Sequence, residues 1–316
     1  MNNPLITIGV TCFNAENTIE RAIRSALSQN WNNIEIIVVD DASTDKSCQK
    51  IESLVKLDQR ITLLKRTLNG GPAASRNTIF QACQGNYIVF FDDDDESSAD
   101  RLLIQYRRLT EYQNLYPGVP VCCYASGSRK YPNGYRLPMP AIGSRADVPV
   151  GSAIVDYLLF NGRHDEVFYG AGIPTCALML SRSVLEKFGG FDENLRRVED
   201  ADLAIRIGLS GGHFIGCEED LFTQYATEAA DKTPNINLES ELIIVKKYSS
   251  YLKEKKIFSY AKNWKLLRHY HFKKNKTRFG ITLIKLTILY PVRTIKHLIA
   301  SGPNRWEHER SIRGKT

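Results

Sequence analysis

The segment YIVFFDDDD (Tyr87 to Asp95) joins a short apolar and aromatic run to four consecutive aspartates. An uninterrupted run of this kind is typical of a strand that is buried on both faces of a sheet. Isolated buried carboxylates are costly, and neighbouring carboxylates repel each other. The end of this strand therefore needs a nearby source of positive charge.

The spacing of the four aspartates suggests what that positive charge is. Residues two apart on a strand point to the same face, which predicts that Asp92 and Asp94 project together with Asp93 opposite. Carboxylate oxygens suit Mg²⁺ or Mn²⁺, so one interpretation is a divalent-cation site. The alternative interpretation is a solvated acidic turn, or a helix N-cap at Asp95.

The first hundred residues alternate between strand patterns and helix patterns. Such alternation, with strands apolar on both faces, predicts a parallel sheet covered by helices on both sides. The predicted strands are Ile6 to Phe13, Ile34 to Asp41, Ile61 to Arg66 and Tyr87 to Asp93, and the predicted helices include Glu16 to Gln29 and a glycine turn leading into a helix at Gly70 to Cys83. Ligands bind beyond the carboxyl ends of such strands, where Asp40-Asp41 and the four aspartates lie. The alternative to a ligand-binding role is that Asp40-Asp41 only caps the helix after Ser43.

The rest of the chain is less regular. Val119 to Ser126 and Ile173 to Ser181 read as strands, Gly127 to Gly151 reads as a long loop, and a helix is predicted to start near Glu199. From Leu238 onward the pattern is mostly helical.

Composition and charge divide the chain into two parts. Of the 316 residues 43% are hydrophobic and 24% are charged, which is ordinary for a globular protein. The net charge of +7 conceals a segment, Tyr251 to Thr316, with 17 Lys or Arg against three Glu, so that this segment carries +14 and the remainder −7. Seven cysteines fit no zinc or disulfide framework. With no signal-peptide pattern and no long apolar run, the sequence predicts a cytoplasmic protein with reduced cysteines.

Five segments together resemble the family 2 glycosyltransferases, which are inverting enzymes of the GT-A fold with a DxD motif. In chain order they are TCFNAENTIERAIRSALSQ, IEIIVVDDASTDKS, NGGPAASRN, GNYIVFFDDDD and GGFDENLRRVEDADLAIRI. The resemblance covers roughly residues 5–226. It implies an α/β fold, in which a Rossmann-like, mostly parallel sheet is flanked by helices. The expected organisation is a catalytic domain at 1–237, with a nucleotide-binding half (1–95) and an acceptor-binding half (96–237), followed by a basic helical appendage at 238–316.

The resemblance also implies roles for individual residues. The nucleotide-sugar pocket would be formed by Thr11, Phe13, Glu16, Asp40 or Asp41, Arg76, Asn77, Asp92 and Asp93. Asp94 and Asp92 would bind Mn²⁺ or Mg²⁺, with Asp94 in direct contact. Asp200 would be the catalytic base, with Glu199 beside it.

The reaction implied is the inverting transfer of one sugar, from a donor such as a uridine diphosphate sugar, to a hydroxyl group of a glycan or lipid-linked glycan. The setting would be surface polysaccharide or lipopolysaccharide assembly. A QxxRW motif, as in processive synthases, is missing from the sequence. The region LFTQYATEAADKT also lacks the His that many relatives use as a metal ligand, which leaves Glu228, Asp231 or no protein ligand in its place. A nucleotidyltransferase and a non-catalytic nucleotide- or glycan-binding relative are the alternative functions.

The basic tail contains a long helical pattern, Phe279 to Ala300, in which Lys285, Arg293 and Lys296 interrupt the apolar residues. Pro291 is expected to kink this helix. One interpretation is a basic amphipathic helix on an anionic membrane surface, on the inner face of the membrane. The other is a helical cap that packs on the catalytic domain or in a homodimer. Nucleic acid is not an expected partner.

Overall fold

The computed structural model describes residues 3–145, 147–226 and 233–313. Its first part has the predicted alternation of strands and helices. The strands are β1 (Ile6–Cys12), β2 (Ile34–Asp40), β3 (Ile61–Lys65) and β4 (Tyr87–Asp92), and the helices are α1 (Ile19–Leu27), α2 (Ser47–Val55) and α3 (Pro72–Ala82). Pro72 occupies the first turn of α3, where its missing N–H group costs no hydrogen bond.

The second part adds shorter and more varied elements to the same sheet. They are β5 (Glu96–Ser97), α4 (Arg101–Leu115), β6 (Val121–Lys130), β7 (Arg136–Met139), α5 (Ser152–Phe160), β8 (Leu178–Ser181), α6 (Arg182–Phe188), α7 (Glu199–Leu209) and β9 (His213–Tyr225). The strand order is β3-β2-β1-β4-β8-β6-β9-β5, and β7 pairs with β6. The first four strands are parallel, whereas β8 is antiparallel to β4 and to β6. One continuous sheet thus joins the two predicted halves.

One prediction in the second part is wrong, and one strand was missed. The predicted loop between Gly127 and Gly151 contains the end of β6 and all of β7, which form an antiparallel hairpin. The Gly, Pro and Tyr residues of this segment suggested a loop. They include the turn at 131–135 that joins the two strands, and the strand segments on either side of it are short. The strand β9 was not predicted, since three exposed acidic residues, Glu218 to Asp220, break its apolar pattern.

The C-terminal helices are α8 (Pro234–Lys247), α9 (Ser249–Glu254), α10 (Phe258–Phe272), α11 (Lys276–Leu289) and α12 (Pro291–Arg313). Helices α8 to α10 join the hydrophobic core through buried residues such as Tyr248, Leu252, Tyr260 and Trp264. The tail therefore packs on the catalytic domain along the first part of its length. Among the helices in the described part of the chain, none combines the length and apolar content that crossing a membrane requires.

Pro291 ends one helix and begins another instead of kinking a single one. Tyr290 has φ −140° and ψ 58°, outside the helical region, and α12 starts at Pro291. The residue before a proline disfavours the helical conformation, whereas proline itself fits the first helical position.

All seven cysteines have free thiols in the structure, and six of them are buried.

Candidate active site

The parallel strands bring distant residues to one edge of the sheet. In the register of β1 with its neighbours, Cys12 lies beside Asp40 and Thr11 lies beside Asp92. The backbone N–H of Phe13, just beyond β1, donates a hydrogen bond to Asp93 Oδ2 at 2.9 Å. Thr11, Phe13, Asp40 and Asp92 are thus neighbours at the carboxyl ends of three adjacent strands, because the strands are in register.

The four aspartates do not continue the strand. Strand β4 ends at Asp92, and Asp93 and Asp94 form a turn, so the expected projection of Asp92 and Asp94 from one strand face is wrong. The proposed N-cap at Asp95 is also wrong, since α4 begins at Arg101 after Asp100. The chain turns after Asp92, and among the later aspartates Asp95 becomes buried whereas Asp93 and Asp94 stay half-buried.

Two of these carboxyl groups hold protons more tightly than a solvated aspartate. Burial, together with the charges of Asp92 and Asp94, raises the pKa of Asp93 to about 8. The same causes raise the pKa of Asp95 to about 8. The cluster is therefore short of positive charge, and a cation arriving there would compete with protons.

A group of metal-binding atoms lies within this cluster. Asp92, Asp95 and Cys176 each offer one ligand atom, and these atoms all lie within 4.8 Å of one another. Within the described residues, Asp95 Oδ2 is buried and has no hydrogen-bond partner. Burial raises the pKa of the Cys176 thiol well above its usual value, so the thiol stays protonated. The two carboxylates fit a hard cation such as Mn²⁺ or Mg²⁺, and the soft, protonated sulfur does not.

Asp95 and Cys176 were missed as candidate ligands in the sequence. The fourth aspartate of the run was itself a signal for Asp95, but Cys176 stands in an apolar strand pattern that gives no such signal. Glu228 and Asp231, the alternatives for a further metal ligand, lie outside the described residues.

Arg76 links the aspartate cluster to the predicted catalytic pair. It is buried in α3, with Nη1 donating to Glu199 Oε1 at 2.5 Å and Nη2 lying 3.5 Å from Asp92 Oδ1. Burial disfavours its charge, but the nearby carboxylates of Glu199, Asp92 and Asp200 outweigh this effect and raise the pKa of Arg76. One guanidinium thus joins two acidic groups that are more than a hundred positions apart in the sequence.

The pair Glu199-Asp200 begins helix α7. Val198, directly before it, has a φ of 60°, a left-handed conformation that is strained for a β-branched residue. Burial and the neighbouring Glu199 raise the pKa of Asp200 to about 7, while Arg76 and Arg197 act in the opposite direction. A carboxyl group with a pKa near neutrality has the proton affinity that a general base needs.

Asp40 and Asp41 are both buried but have different surroundings. Asp41 accepts hydrogen bonds from the backbone N–H groups of Gly70 (2.9 Å) and Gly71 (2.7 Å), and Arg66 Nε lies 2.9 Å from its Oδ1. Asp40 Oδ2 accepts from Ser43 N at 3.2 Å, whereas Oδ1 has no hydrogen-bond partner in the described part of the chain. Asp41 thus holds the turn before α3, and Asp40 retains a free acceptor atom.

The capping alternative for Asp40-Asp41 is wrong. At the start of α2, Ser47 N donates to Asp45 Oδ1 at 2.9 Å, and Lys46 N donates to Glu16 Oε2 at 3.0 Å. Asp45 and Glu16 therefore satisfy the first backbone N–H groups of that helix.

Two predicted pocket residues have structural partners. Glu16 accepts a hydrogen bond from the backbone N–H of Lys46, directly before α2, and Asn77 is held by the loop that follows α6. The Asn77 side chain donates to Phe191 O (2.9 Å) and Glu193 Oε1 (2.8 Å), and it accepts from Phe191 N (2.8 Å). Phe13, in contrast, is 46% exposed at the strand-end edge and is free to contact a ligand.

Arg21 and Tyr225 also border the aspartate cluster, and no pattern in the sequence pointed to either of them. Arg21 donates to the backbone oxygen of Asp94, and its guanidinium lies 3.9 Å from the centre of the Tyr225 ring. Tyr225 N donates to Asp95 Oδ1 at 3.3 Å. The end of β9 thereby covers the aspartate turn from one side.

Solved structures with the same architecture are glycosyltransferases of the GT-A fold. TarS from S. aureus (residues 1-349), in complex with UDP-GlcNAc, aligns with 92% of this chain and 82% of its own, with a TM-score of 0.62 and 17% identity. Mannosyltransferase PcManGT from Pyrobaculum calidifontis, in complex with GDP-Man and Mn²⁺, aligns with 99% of this chain and 84% of its own, with a TM-score of 0.57 and 15% identity. The described chain therefore has the GT-A fold.

The sequence comparisons define the family. The sequence profile of "Glycosyl transferase family 2" matches residues 7–187. An uncharacterized glycosyltransferase from Haemophilus influenzae is 44% identical over 102 residues, which are 32% of this chain and 41% of that protein. The Escherichia coli UDP-Glc:alpha-D-GlcNAc-diphosphoundecaprenol beta-1,3-glucosyltransferase WfaP is 40% identical over 91 residues, 29% of this chain and 36% of that protein. The chain belongs to glycosyl transferase family 2, and the matched segment spans less than half of each of these relatives.

Proposed function

We propose that this protein is an inverting glycosyltransferase that moves one sugar from a uridine diphosphate sugar to a hydroxyl group of a glycan or lipid-linked glycan during surface polysaccharide assembly. The observation that carries the proposal is the Arg76 link between the aspartate cluster and the Glu199-Asp200 pair. Through this link Arg76 would keep the aspartate cluster, as the site for a phosphate-bound cation, close to the Glu199-Asp200 pair, which would supply the general base. Support for the donor and acceptor comes from TarS, solved with UDP-GlcNAc, and from WfaP, whose name specifies UDP-Glc and a lipid diphosphate acceptor.

The nucleotide end of the pocket would be formed by Thr11, Phe13 and Asp40. Asp40 Oδ1 is a buried acceptor without a partner in the described chain, which matches the need of a uracil ring to donate its N–H group. The exposed Phe13 ring would lie against the base. Asp41 would act indirectly, since its carboxylate shapes the turn at Gly70-Gly71.

The carboxylates that would hold a divalent cation are those of Asp92 and Asp94, with the buried Asp95 as an additional ligand that the geometry suggests. Asp94 is only half-buried, so its carboxylate can reach a cation that arrives with the diphosphate. When bound, the cation stabilises the negative charge that develops on the departing diphosphate. Arg76 Nη2, which lies 3.5 Å from Asp92 Oδ1, would hold that carboxylate in place.

Asp200 would remove the proton from the attacking hydroxyl group. Its raised pKa gives it affinity for that proton at neutral pH, and Glu199 is fixed by Arg76 beside it. The hydroxyl oxygen attacks the anomeric carbon from the side opposite the leaving diphosphate. One direct displacement inverts the anomeric configuration.

A calorimetric titration with uridine diphosphate, with and without Mn²⁺, tests the donor site. We expect metal-dependent binding that is weakened in Asp40→Asn, because the amide can present a donor to the base N–H group. The matched control is Asp58→Asn, at a surface ion pair with Arg60. If uridine, guanosine and cytidine diphosphates all failed to bind, the remaining explanation would be a non-catalytic relative.

A further inference from the structure

The last two described helices carry apolar side chains on the face that points away from the protein. On α11 the exposed residues Ile281, Ile284 and Ile288 follow one another at spacings of three and four. The same spacing recurs on α12 with the exposed residues Val292, Ile295 and Ile299. Spacings of three and four place side chains on one face of a helix. We call these six residues the apolar stripe.

The stripe is separate from the face through which these helices pack on the domain. Phe279, Leu283 and the buried Leu286 contact the hydrophobic core from the other side of α11. On α12 the buried Thr294 donates to Leu286 O at 3.0 Å, and His297 stacks on Trp264 with ring centres 3.5 Å apart. The helices are thus held in place by one face, and the stripe is not needed for that packing.

The stripe is too apolar for an ordinary solvated surface. Its members are between 52% and 73% exposed. Soluble proteins rarely leave a patch of more than a few hundred Å² of contiguous apolar surface uncovered, and such patches mark sites of interaction.

The charge around the stripe identifies its partner. From Lys273 to Trp306 the chain contains eight Lys or Arg and no Asp or Glu. Lys285 and Lys296 are exposed in the middle of α11 and α12, Lys273 and Lys274 precede α11, and Lys276 is its first residue. A second copy of the chain would bring an equally basic tail against this one, which like-charge repulsion opposes. A nucleic acid would use the charge but leave the apolar stripe exposed.

We infer that α11 and α12 dock on an anionic lipid surface, with the apolar stripe inserted below the head groups and the lysines on the phosphates. Amphipathic helices with basic flanks bind membranes in this way, and each basic residue near an anionic leaflet adds to the affinity. Helices α8 to α10, which are buried against the domain, connect this surface to the catalytic domain. The inference concerns the tail alone and depends neither on the donor nor on the transfer reaction.

Flotation of the full chain with lipid vesicles, without nucleotide or metal, tests the inference. We expect binding to phosphatidylcholine vesicles that contain about one third phosphatidylglycerol, and binding weaker by about tenfold or more to phosphatidylcholine alone. The triple variant Ile281→Ser, Ile284→Ser, Ile288→Ser should lose about tenfold or more of the affinity, because its exposed positions contribute to insertion and not to folding.

The matched control is Leu57→Ser, Leu68→Ser, Leu115→Ser, which removes three leucines that are even more exposed from the catalytic domain and should bind like the original protein. The pair Lys285→Gln, Lys296→Gln should weaken binding to anionic vesicles by about tenfold and have little effect on neutral ones. Circular dichroism of each variant confirms that the helices remain folded.

Three outcomes would overturn the inference. The first is that the original protein fails to float with anionic vesicles, and the second is that the stripe variant binds as well as the leucine control. The third is a dimer in sedimentation velocity that the stripe variant dissociates, which would assign the stripe to a second copy. Failure here would leave uridine diphosphate binding unaffected, so it is distinguishable from failure of the proposed function.

Discussion

Two acidic centres lie close to helix α7 and differ in how their charge is balanced. At Asp202, which is fully buried, Arg206 Nε (2.9 Å) and Lys247 Nζ (2.8 Å) approach the carboxylate, and Tyr248 Oη donates to it at 2.7 Å. At Asp92 to Asp95 the nearby guanidinium of Arg76 is shared with Glu199, and two carboxyl groups have pKa values raised to about 8.

This difference in charge balance distinguishes a carboxylate with a structural role from carboxylates that are candidates for function. A buried carboxylate that has its full set of cations and donors stabilises the fold, and Asp202 docks α8 on α7 in this way. A cluster of carboxylates with too little positive charge is poised to bind a cation or a proton. Asp200, two positions before Asp202, belongs to the second kind, since burial raises its pKa to about 7.

The largest effect is expected for Asp200→Asn. An amide cannot accept the proton of the attacking hydroxyl group, so kcat should fall by about 10²- to 10⁴-fold. The Kd of the nucleoside diphosphate should change by no more than a few-fold, because Asp200 is not among the residues proposed to bind the nucleotide. Initial rates of nucleoside diphosphate release with an acceptor present, together with calorimetry, measure both quantities. An unchanged kcat would contradict the assignment of the base.

Asp202→Asn should act on stability. Removing this charge takes the carboxylate partner from Arg206 and leaves Lys247 with Asp192 alone, 2.6 Å away. The free energy of unfolding should fall by about 2–4 kcal/mol, less than for a fully buried pair, because both cations are partly solvated. Urea denaturation measures the loss. Asp58→Asn removes a surface pair with Arg60 and should cost less than about 1 kcal/mol. Equal losses in the two variants would remove the distinction between the two centres.

Mn²⁺ should stabilise the folded protein through the aspartate cluster. At a concentration of about 100 times the Kd the gain is about 2.7 kcal/mol, seen as a rise in Tm with uridine diphosphate present. Asp94→Asn should reduce the rise more than Asp95→Asn, since Asp95 has a pKa raised to about 8 and must first lose its proton. A rise that persists in both variants would place the metal elsewhere.

The metal-free protein should lose stability as the pH rises. Asp93, Asp95 and Asp200 have folded-state pKa values raised to about 8, 8 and 7, above the value of about 4 for an unfolded aspartate. The folded state therefore binds more protons between about pH 4 and 8, so its stability falls progressively as the pH rises above about 4. This contribution is gone once the pH has passed the folded-state values of about 7 to 8. At pH 8.5 Asp95→Asn should stabilise the metal-free protein by about 1–2 kcal/mol, measured by urea denaturation. If Asp95→Asn instead destabilised the protein, the Asp95 carboxylate would already be balanced by nearby positive charge.

Much of the nucleotide half could be predicted because its signals are local. The pattern of apolar runs and helical spacings predicted β1 to β4 and the helices between them to within a few residues, and Asp40-Asp41 and Asp92 were correctly expected at strand ends. The later half was harder, since Gly127 to Gly151 and β9 have compositions that suit a loop or an exposed segment. Strands such as β9 form because neighbouring strands complete their hydrogen bonds. The identity of those neighbours cannot be read from the sequence of the strand itself.

The sequence by itself determined the alternating architecture, the acidic strand ends and the opposite charges of domain and tail, because periodicity and composition are properties of neighbouring residues. Only the tertiary structure decided which acidic residues are compensated. The bond from Arg76 to Glu199 spans 123 positions, and the approach of Cys176 to Asp92 and Asp95 depends on strand order. The energy of a buried charge is set by the groups around it in space, so a structural aspartate such as Asp202 and a catalytic candidate such as Asp200 look alike in the sequence.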